Sequence, residues 1–193
     1  MKTIYQMSCA PELQLVSDFM TSQECKALIR CASARMEPSE VLAPDGNAFD
    51  NVRSSTGMFF QRGELPLVEQ LEARLSGFFG FPAENGEGLQ ILRYKEGQEY
   101  KPHFDYFDPA TFSGGQALRR GQRVATILMY LNTPVGGATV FPEFSAKVLP
   151  LEGMAVCFRY SDKATAYKSQ HGSQPVEAGE KWVATKWVRE GRF

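Results

Sequence analysis

Two stretches in the first half of the chain place apolar residues at helical spacing. In the first, Cys25, Leu28, Ile29, Ala32 and Met36 recur every three to four positions, which predicts an amphipathic helix over residues 21–36. Thr21 and Glu24 stand at capping-box spacing at its start. In the second, Leu67, Val68, Leu71, Leu75, Phe78 and Phe79 form one face of a helix over 66–79, and Pro66 suits its first turn. From residue 88 the period changes. Leu89–Tyr94, Arg123–Asn132, Ala138–Phe141, Met154–Phe158 and Lys181–Arg189 are short and rich in β-branched or aromatic residues. Turn signals separate them at Glu96-Gly97, Pro134, Gly136-Gly137, Glu152-Gly153 and Ala178-Gly179. Many short strands with no helix between them imply an antiparallel sandwich or barrel, with the two helices laid on one outer face.

Two segments lack either period, Ala43–Thr56 and Asp108–Gln122. The plain reading is surface linker. Loops of this length in a compact domain are more often functional, so both are candidate substrate lids.

Composition changes this picture little. The chain has 193 residues, 43% hydrophobic and 22% charged, which fits one ordinary globular domain. The expected division is helical support and N-terminal strands over 1–87, then a β core over 88–193. A net charge of −1 without a long run of one sign argues against a dedicated nucleic-acid binder. No stretch is apolar and long enough to span a membrane, and the N-terminus does not read as a signal peptide. The four cysteines, Cys9, Cys25, Cys31 and Cys157, show no C-x-x-C spacing. They read as free thiols of a cytoplasmic protein.

The chemistry lies in the two histidines, the only ones in the chain. One sits in His103-Phe104-Asp105, where extended backbone would turn the imidazole and the carboxylate to one side. The other, His171, comes 68 residues later, just before the last predicted strand. Two imidazoles and one carboxylate on one face of an octahedron form the facial triad of non-haem Fe(II) oxygenases. An H-x-D alone is weak evidence, but here both histidines fall where the triad needs them. Lys181 follows His171 by ten residues. Strand alternation puts Lys181, Val183, Thr185 and Trp187 on one face. If that face is internal, Lys181 needs an anion, and the distal carboxylate of a 2-oxo diacid would supply one. If it is external, Lys181 is solvated and Trp182 is buried. Alternation does not choose between these.

Longer motifs surround these residues. Tyr94-Lys95-Glu96-Gly97-Gln98-Glu99-Tyr100-Lys101-Pro102-His103-Phe104-Asp105 is followed by Arg123 to Asn132, by Gly136-Gly137-Ala138-Thr139-Val140-Phe141-Pro142-Glu143, and by His171 to Trp187. Together they resemble the catalytic domain of the prolyl 4-hydroxylases, members of the Fe(II)/2-oxoglutarate dioxygenases. Val52 to Phe60 adds to the likeness, which covers about two-thirds of the chain.

The resemblance implies a mainly β, α+β fold built on a double-stranded β-helix, a jelly-roll or cupin-like barrel. It implies an enzyme that uses Fe(II), 2-oxoglutarate and O₂, with ascorbate as a family expectation. It makes His103, Asp105 and His171 the iron ligands and Lys181 the partner of the 2-oxoglutarate carboxylate. Tyr94, Thr126 and Tyr130 match positions that line the co-substrate pocket. Tyr100, Arg123 and Trp187 match positions that contact the target proline; their plain readings are core aromatics and a surface arginine. The presence of Asp105 favours hydroxylation over halogenation, since related halogenases lack that carboxylate.

The implied reaction is hydroxylation of peptidyl proline, coupled to decarboxylation of 2-oxoglutarate to succinate and CO₂. The implied partner is a proline-containing peptide or protein, with no nucleic acid and no membrane. Whether the protein is a monomer or a homodimer stays open. Other readings keep the same chemistry on a free amino acid or other small molecule, remove turnover altogether in a metal- or ligand-binding sensor, or make the protein a nucleic-acid demethylase. With no peptide-binding domain or retention signal in view, the chain reads as a minimal bacterial- or viral-type catalytic domain.

Overall fold

A computed structural model describes residues 2–39, 41–43, 46–48, 54–112 and 118–193, with backbone alone for 41–43 and 46–48. The two helices form where the apolar stripes lie. α1 spans Ser22–Ser33 and α2 spans Pro66–Phe79. Thr21 caps α1 by accepting from the Glu24 N–H, and the Glu24 carboxylate accepts from the Thr21 N–H at 2.8 Å. α1 stops three residues short of the expected 36. Pro38 disfavours helical backbone at Glu37, and the chain turns into a strand there. α2 opens on Pro66 and closes on Gly80 in the left-handed conformation, φ 71°.

The protein is mainly β. Strands β1 (Ile4–Cys9), β2 (Glu12–Val16), β3 (Glu37–Pro38), β6 (Thr56–Phe60), β7 (Leu89–Lys95), β9 (Arg123–Tyr130), β13 (Ala155–Arg159) and β16 (Glu180–Arg189) form one eight-stranded sheet, in the order β1-β2-β13-β9-β16-β7-β6-β3. A four-stranded sheet has the order β12 (Ala146–Val148), β11 (Thr139–Phe141), β14 (His171–Ser173) and β8 (Tyr100–His103). Two short pairs complete the set: β4 (Val41–Ala43) with β5 (Gly46–Ala48), and β10 (Val135–Gly136) with β15 (Val176–Ala178).

The five strands expected from residue 88 onward all form. The barrel expectation is corrected: among the described residues the strands make open sheets with no ladder that closes them. Two further expectations change. Ala43–Thr56 is not wholly aperiodic, because β5 lies in it and pairs back onto β4, whose last residue is Ala43. The second half also contains a helix, α3 (Lys163–Lys168), started by a reciprocal Asp162–Thr165 cap. Residues 44–45, 49–53 and 113–117 of the two candidate lids lie outside the described residues, among them Val52 and Arg53 of the upstream motif.

The large sheet buries both faces, and its strands alternate between two cores. Ala125, Ile127 and Met129 of β9, with Trp182, Ala184 and Val188 of β16, join Cys25, Leu28, Leu71 and Phe79 of the helices. The opposite positions, Tyr130 of β9, Leu92 and Tyr94 of β7 and Val183 of β16, join Phe141 and Val148 of the small sheet. Each fully buried side chain of this size contributes roughly 1.5–3 kcal/mol of transfer free energy. The second core therefore clamps the small sheet over the large one, and the space beside it holds the site. No helix among the described residues is long and apolar enough to cross a membrane.

Candidate active site

The two histidines meet because β8 and β14 pair. His103 ends β8, His171 begins β14, and the ladder sets them directly opposite each other. Asp105 lies two residues beyond β8 in a bend, so strand alternation is not what aims it. β9 does that: Thr126 Oγ1 donates to Asp105 Oδ2 at 2.8 Å, and Arg123 Nη1 lies 3.9 Å from Oδ1. Asp105 Oδ1 is 3.8 Å from His103 Nε2, and Oδ2 is 3.7 Å from His171 Nε2. One donor atom from each of the three residues falls within 4.8 Å of the others.

Backbone carbonyls orient both imidazoles. His103 Nδ1 is 2.9 Å from the Lys101 oxygen, and His171 Nδ1 is 3.1 Å from the Ser169 oxygen. A ring nitrogen facing a carbonyl carries the proton, which makes each Nε2 the nitrogen that would ligate a metal. Burial pushes the Asp105 carboxyl upward, but His171, His103, Arg123 and the Thr126 hydroxyl outweigh it and hold the group below the usual range. The carboxylate is thus anionic and ready to ligate.

A cavity of about 1200 Å³ opens beside these donors, lined among others by Tyr94, Lys181, Ser173, Thr139 and Trp187. Lys181 faces inward and is 2% exposed. Trp182 is also buried, at 6%, because helices cover the other face of the sheet. Alternation could not separate the two readings of Lys181 because both faces of β16 are buried. Lys181 Nζ donates to the Gly137 carbonyl at 2.7 Å and to Ser173 Oγ at 2.8 Å. No carboxylate among the described residues pairs with it, and burial alone pushes the ammonium down to about 7.

The other expected residues divide. Tyr94 lines the cavity with its ring 5.5 Å from Lys181 Nζ. Tyr130 stands behind the lining, donating to Thr139 Oγ1 at 2.8 Å. Thr126, expected in the co-substrate pocket, turns its hydroxyl to Asp105 and supports that carboxylate. Tyr100 stacks on His103, centroids 3.6 Å apart. Arg123 is not at the surface: its guanidinium lies 3.9 Å over the Trp187 ring and pairs with Glu87.

Sequence reasoning missed Glu87, Gly137, Thr139 and Ser173. The last three lie inside the quoted motifs, next to residues that were singled out. Glu87 carried no local signal, because its partners Arg123 and Arg189 are far away in the chain.

The 2OG-Fe(II) oxygenase superfamily profile matches residues 89–189, more than half of the chain and inclusive of all four polar centres of the site. The sequence is also 39% identical over 98% of its length to probable prolyl 4-hydroxylase 6 of Arabidopsis thaliana, and covers 73% of that protein. The chain belongs to the prolyl 4-hydroxylase family of 2OG-Fe(II) oxygenases. It is similarly 38% identical to probable prolyl 4-hydroxylase 7 of the same plant, over 98% of this chain and 66% of the relative. Among solved structures it resembles the viral collagen prolyl hydroxylase of Paramecium Bursaria Chlorella virus-1 in its 2OG complex. That likeness has a TM-score of 0.73 and 29% identity, covering 92% of this chain and 95% of the other.

The cofactors of the family are Fe(II) and 2-oxoglutarate, and the donor chemistry fits both. Two neutral nitrogens and one carboxylate suit ferrous iron with positions left open. A buried ammonium without a carboxylate suits a diacid.

Proposed function

We propose that this protein hydroxylates peptidyl proline, with His103, Asp105 and His171 holding Fe(II) and Lys181 holding the distal carboxylate of 2-oxoglutarate. The observation that carries this reading is one cavity faced by both a His-Asp-His donor set and a buried lysine with no acid of its own. When bound, the iron and 2-oxoglutarate supply the oxidation, in which the 2-oxo acid is decarboxylated to succinate and CO₂ and O₂ is consumed. On this reading the two open sheets are the walls of a jelly-roll, double-stranded β-helix arrangement.

The chain's own residues orient and enclose. The Lys101 and Ser169 carbonyls fix the imidazole tautomers, and Thr126 fixes the Asp105 carboxylate. Phe141 and Phe158 pack against His171 and keep water from that side. Tyr100, Arg123 and Trp187 form the wall beside the metal donors and receive the proline. A proline-rich segment offers carbonyl acceptors and few N–H donors. Thr185 Oγ1 and Trp187 Nε1 are buried donors with no partner among the described residues, and both residues line the cavity. Such donors match peptide carbonyls.

The test is succinate release with Fe(II), 2-oxoglutarate and either proline-rich peptides or free proline, with the peptide products weighed for a gain of one oxygen. Greater stimulation by peptides, with the mass gain on proline, is expected. Equal or greater stimulation by free proline would shift the assignment to a small-molecule hydroxylase.

A further inference from the structure

Phe107 follows Asp105 by two residues, where the chain has left β8 and lies in no strand. It is buried, so its backbone N–H and C=O need partners. One side chain supplies both. The Gln122 carboxamide accepts from the Phe107 N–H at 2.9 Å and donates to the Phe107 carbonyl at 2.7 Å. The same amide oxygen accepts from the Arg123 N–H at 3.0 Å. A carboxamide carries the donor and acceptor of a peptide unit, so Gln122 stands in for a neighbouring strand at this one residue. Gln122 is itself held. Its N–H donates to Glu190 Oε2 at 2.8 Å, and its carbonyl accepts from the Glu190 N–H at 2.9 Å.

What the clamp fixes is the ring of Phe107. Arg123 and Arg189 are cross-strand partners in the β9–β16 ladder, two like charges directly opposite each other. Glu87 neutralises them from one side. The Phe107 ring meets both, its centroid 4.7 Å from the Arg123 guanidinium carbon and 4.9 Å from that of Arg189. The Arg123 guanidinium also lies 3.9 Å over Trp187, so two aromatic rings set its position. The carboxamide of Gln122 reaches that position through the backbone of Phe107.

We infer that Gln122 is a positioning residue for the peptide wall: by clamping the Phe107 backbone it holds that ring against Arg123 and keeps the guanidinium over Trp187. It acts through Phe107 and not by contact with substrate. The consequence for peptide binding rests on the reading of Arg123 and Trp187 under Proposed function.

The experiment compares wild type, Gln122→Met, Phe107→Leu and the double variant. Methionine keeps the length of glutamine and removes its hydrogen bonds. Turnover of a proline-rich peptide is measured with saturating Fe(II) and 2-oxoglutarate, and the affinities for both are measured alongside. Trp187 fluorescence is read in a Trp182→Phe background, where it is the one tryptophan left. The expected result for Gln122→Met is a peptide KM raised about tenfold, with kcat and the Fe(II) and 2-oxoglutarate affinities unchanged and the Trp187 emission altered. Phe107→Leu should change the emission in the same way, and adding Gln122→Met to it should change neither KM nor emission further. Additive effects would mean that Gln122 does not act through Phe107 and overturn the inference, as would an unchanged emission. If Gln122→Met does not fold, Gln122→Glu removes the donation to the Phe107 carbonyl alone and should move the same two readouts by less. Wild-type protein that peptides do not stimulate would overturn the peptide reading instead, and the emission comparison then decides the positioning of Arg123 by itself.

Discussion

His103 and His171 are direct cross-strand partners in the β8–β14 ladder, with ring centroids 4.4 Å apart. The metal site is therefore a property of the small sheet, and occupying it should tie β8 to β14. A ligand that binds only the native state stabilises it by about 2.7 kcal/mol at a hundredfold excess over its Kd. For a chain of this size that raises the melting temperature by roughly 5–10 °C. Fe(II) under anaerobic conditions should give this shift, a chelator should remove it, and His103→Ala or His171→Ala should each abolish it. A variant that kept the full shift would remove that histidine from the ligand set.

On the proposed role of Lys181, 2-oxoglutarate binding should depend on pH. Burial holds its folded value at about 7, against 10.5 for a solvated lysine. A dicarboxylate favours the charged form and pulls the value back up, so binding takes up a proton. Affinity should be full below about pH 7 and fall above it, by up to tenfold per pH unit. Without co-substrate the sign for stability is opposite. The unfolded chain holds more protons on this group between pH 7 and 10.5, so its contribution makes the protein more stable as pH rises through that window. Titrations between pH 6.5 and 8.5 would show the slope in the wild type and none in Lys181→Arg. A flat wild-type profile would mean that the lysine stays charged without its ligand.

Much of this was legible in the chain because it is periodic or local. The stripes of α1 and α2, the cap at Thr21 and the strands from Leu89 onward follow from spacing. His103, Asp105 and His171 were legible because the chain has no other histidines. What stayed hidden depends on contacts distant in sequence. The orientation of Lys181 required knowing that α1 and α2 bury the far face of β16. The aim of Asp105 depends on Thr126, 21 residues away, and not on the alternation that suggested it. A surface position was the plain alternative for Arg123, expected otherwise at the target proline, because Glu87, 36 positions earlier, gave no sign of facing it. The short strands β8, β12 and β14 have too few residues to show any period.

Glu87 should prove necessary for the substrate wall without touching the metal. Its carboxylate accepts from Arg123 Nε at 2.6 Å, Arg123 Nη2 at 2.9 Å and Arg189 Nε at 2.6 Å, all largely buried. Burial raises its carboxyl, but the two guanidiniums outweigh this and hold it below the usual range. Glu87→Gln removes the counter-charge that two buried guanidiniums share, with Asp105 remaining 3.9 Å from Arg123, a loss of roughly 3–5 kcal/mol, or on the order of 10 °C in melting temperature. Arg123 would also lose the partner that holds it over Trp187. The KM for peptide should rise while Fe(II) and 2-oxoglutarate affinities stay unchanged. An altered Fe(II) affinity would mean that Arg123 acts chiefly through Asp105, 3.9 Å away.

The ion pair between Lys186 and Glu72 offers the contrasting case, a buried charge pair outside the site. Lys186 Nζ lies 2.5 Å from Glu72 Oε1, with both side chains under 5% exposed, and Glu72 Oε2 accepts from the Gly63 N–H. Gly86 leaves room beside it, since a Cβ there would lie 2.5 Å from Lys186 Cε and displace the end of the lysine. Lys186 projects from the helix-facing side of β16, opposite to Lys181, so it has no path to the cavity. Lys186→Met alone or Glu72→Leu alone should cost about 3–5 kcal/mol, because each leaves one buried charge unpaired. The double variant should recover most of that loss, since two apolar side chains remove both desolvation penalties at once. Catalytic constants of whatever remains folded should match the wild type. Denaturant unfolding of the four proteins gives the coupling energy directly. A double variant as unstable as the sum of the singles would mean zero coupling energy, with each side chain stabilising this face of β16 independently of the other.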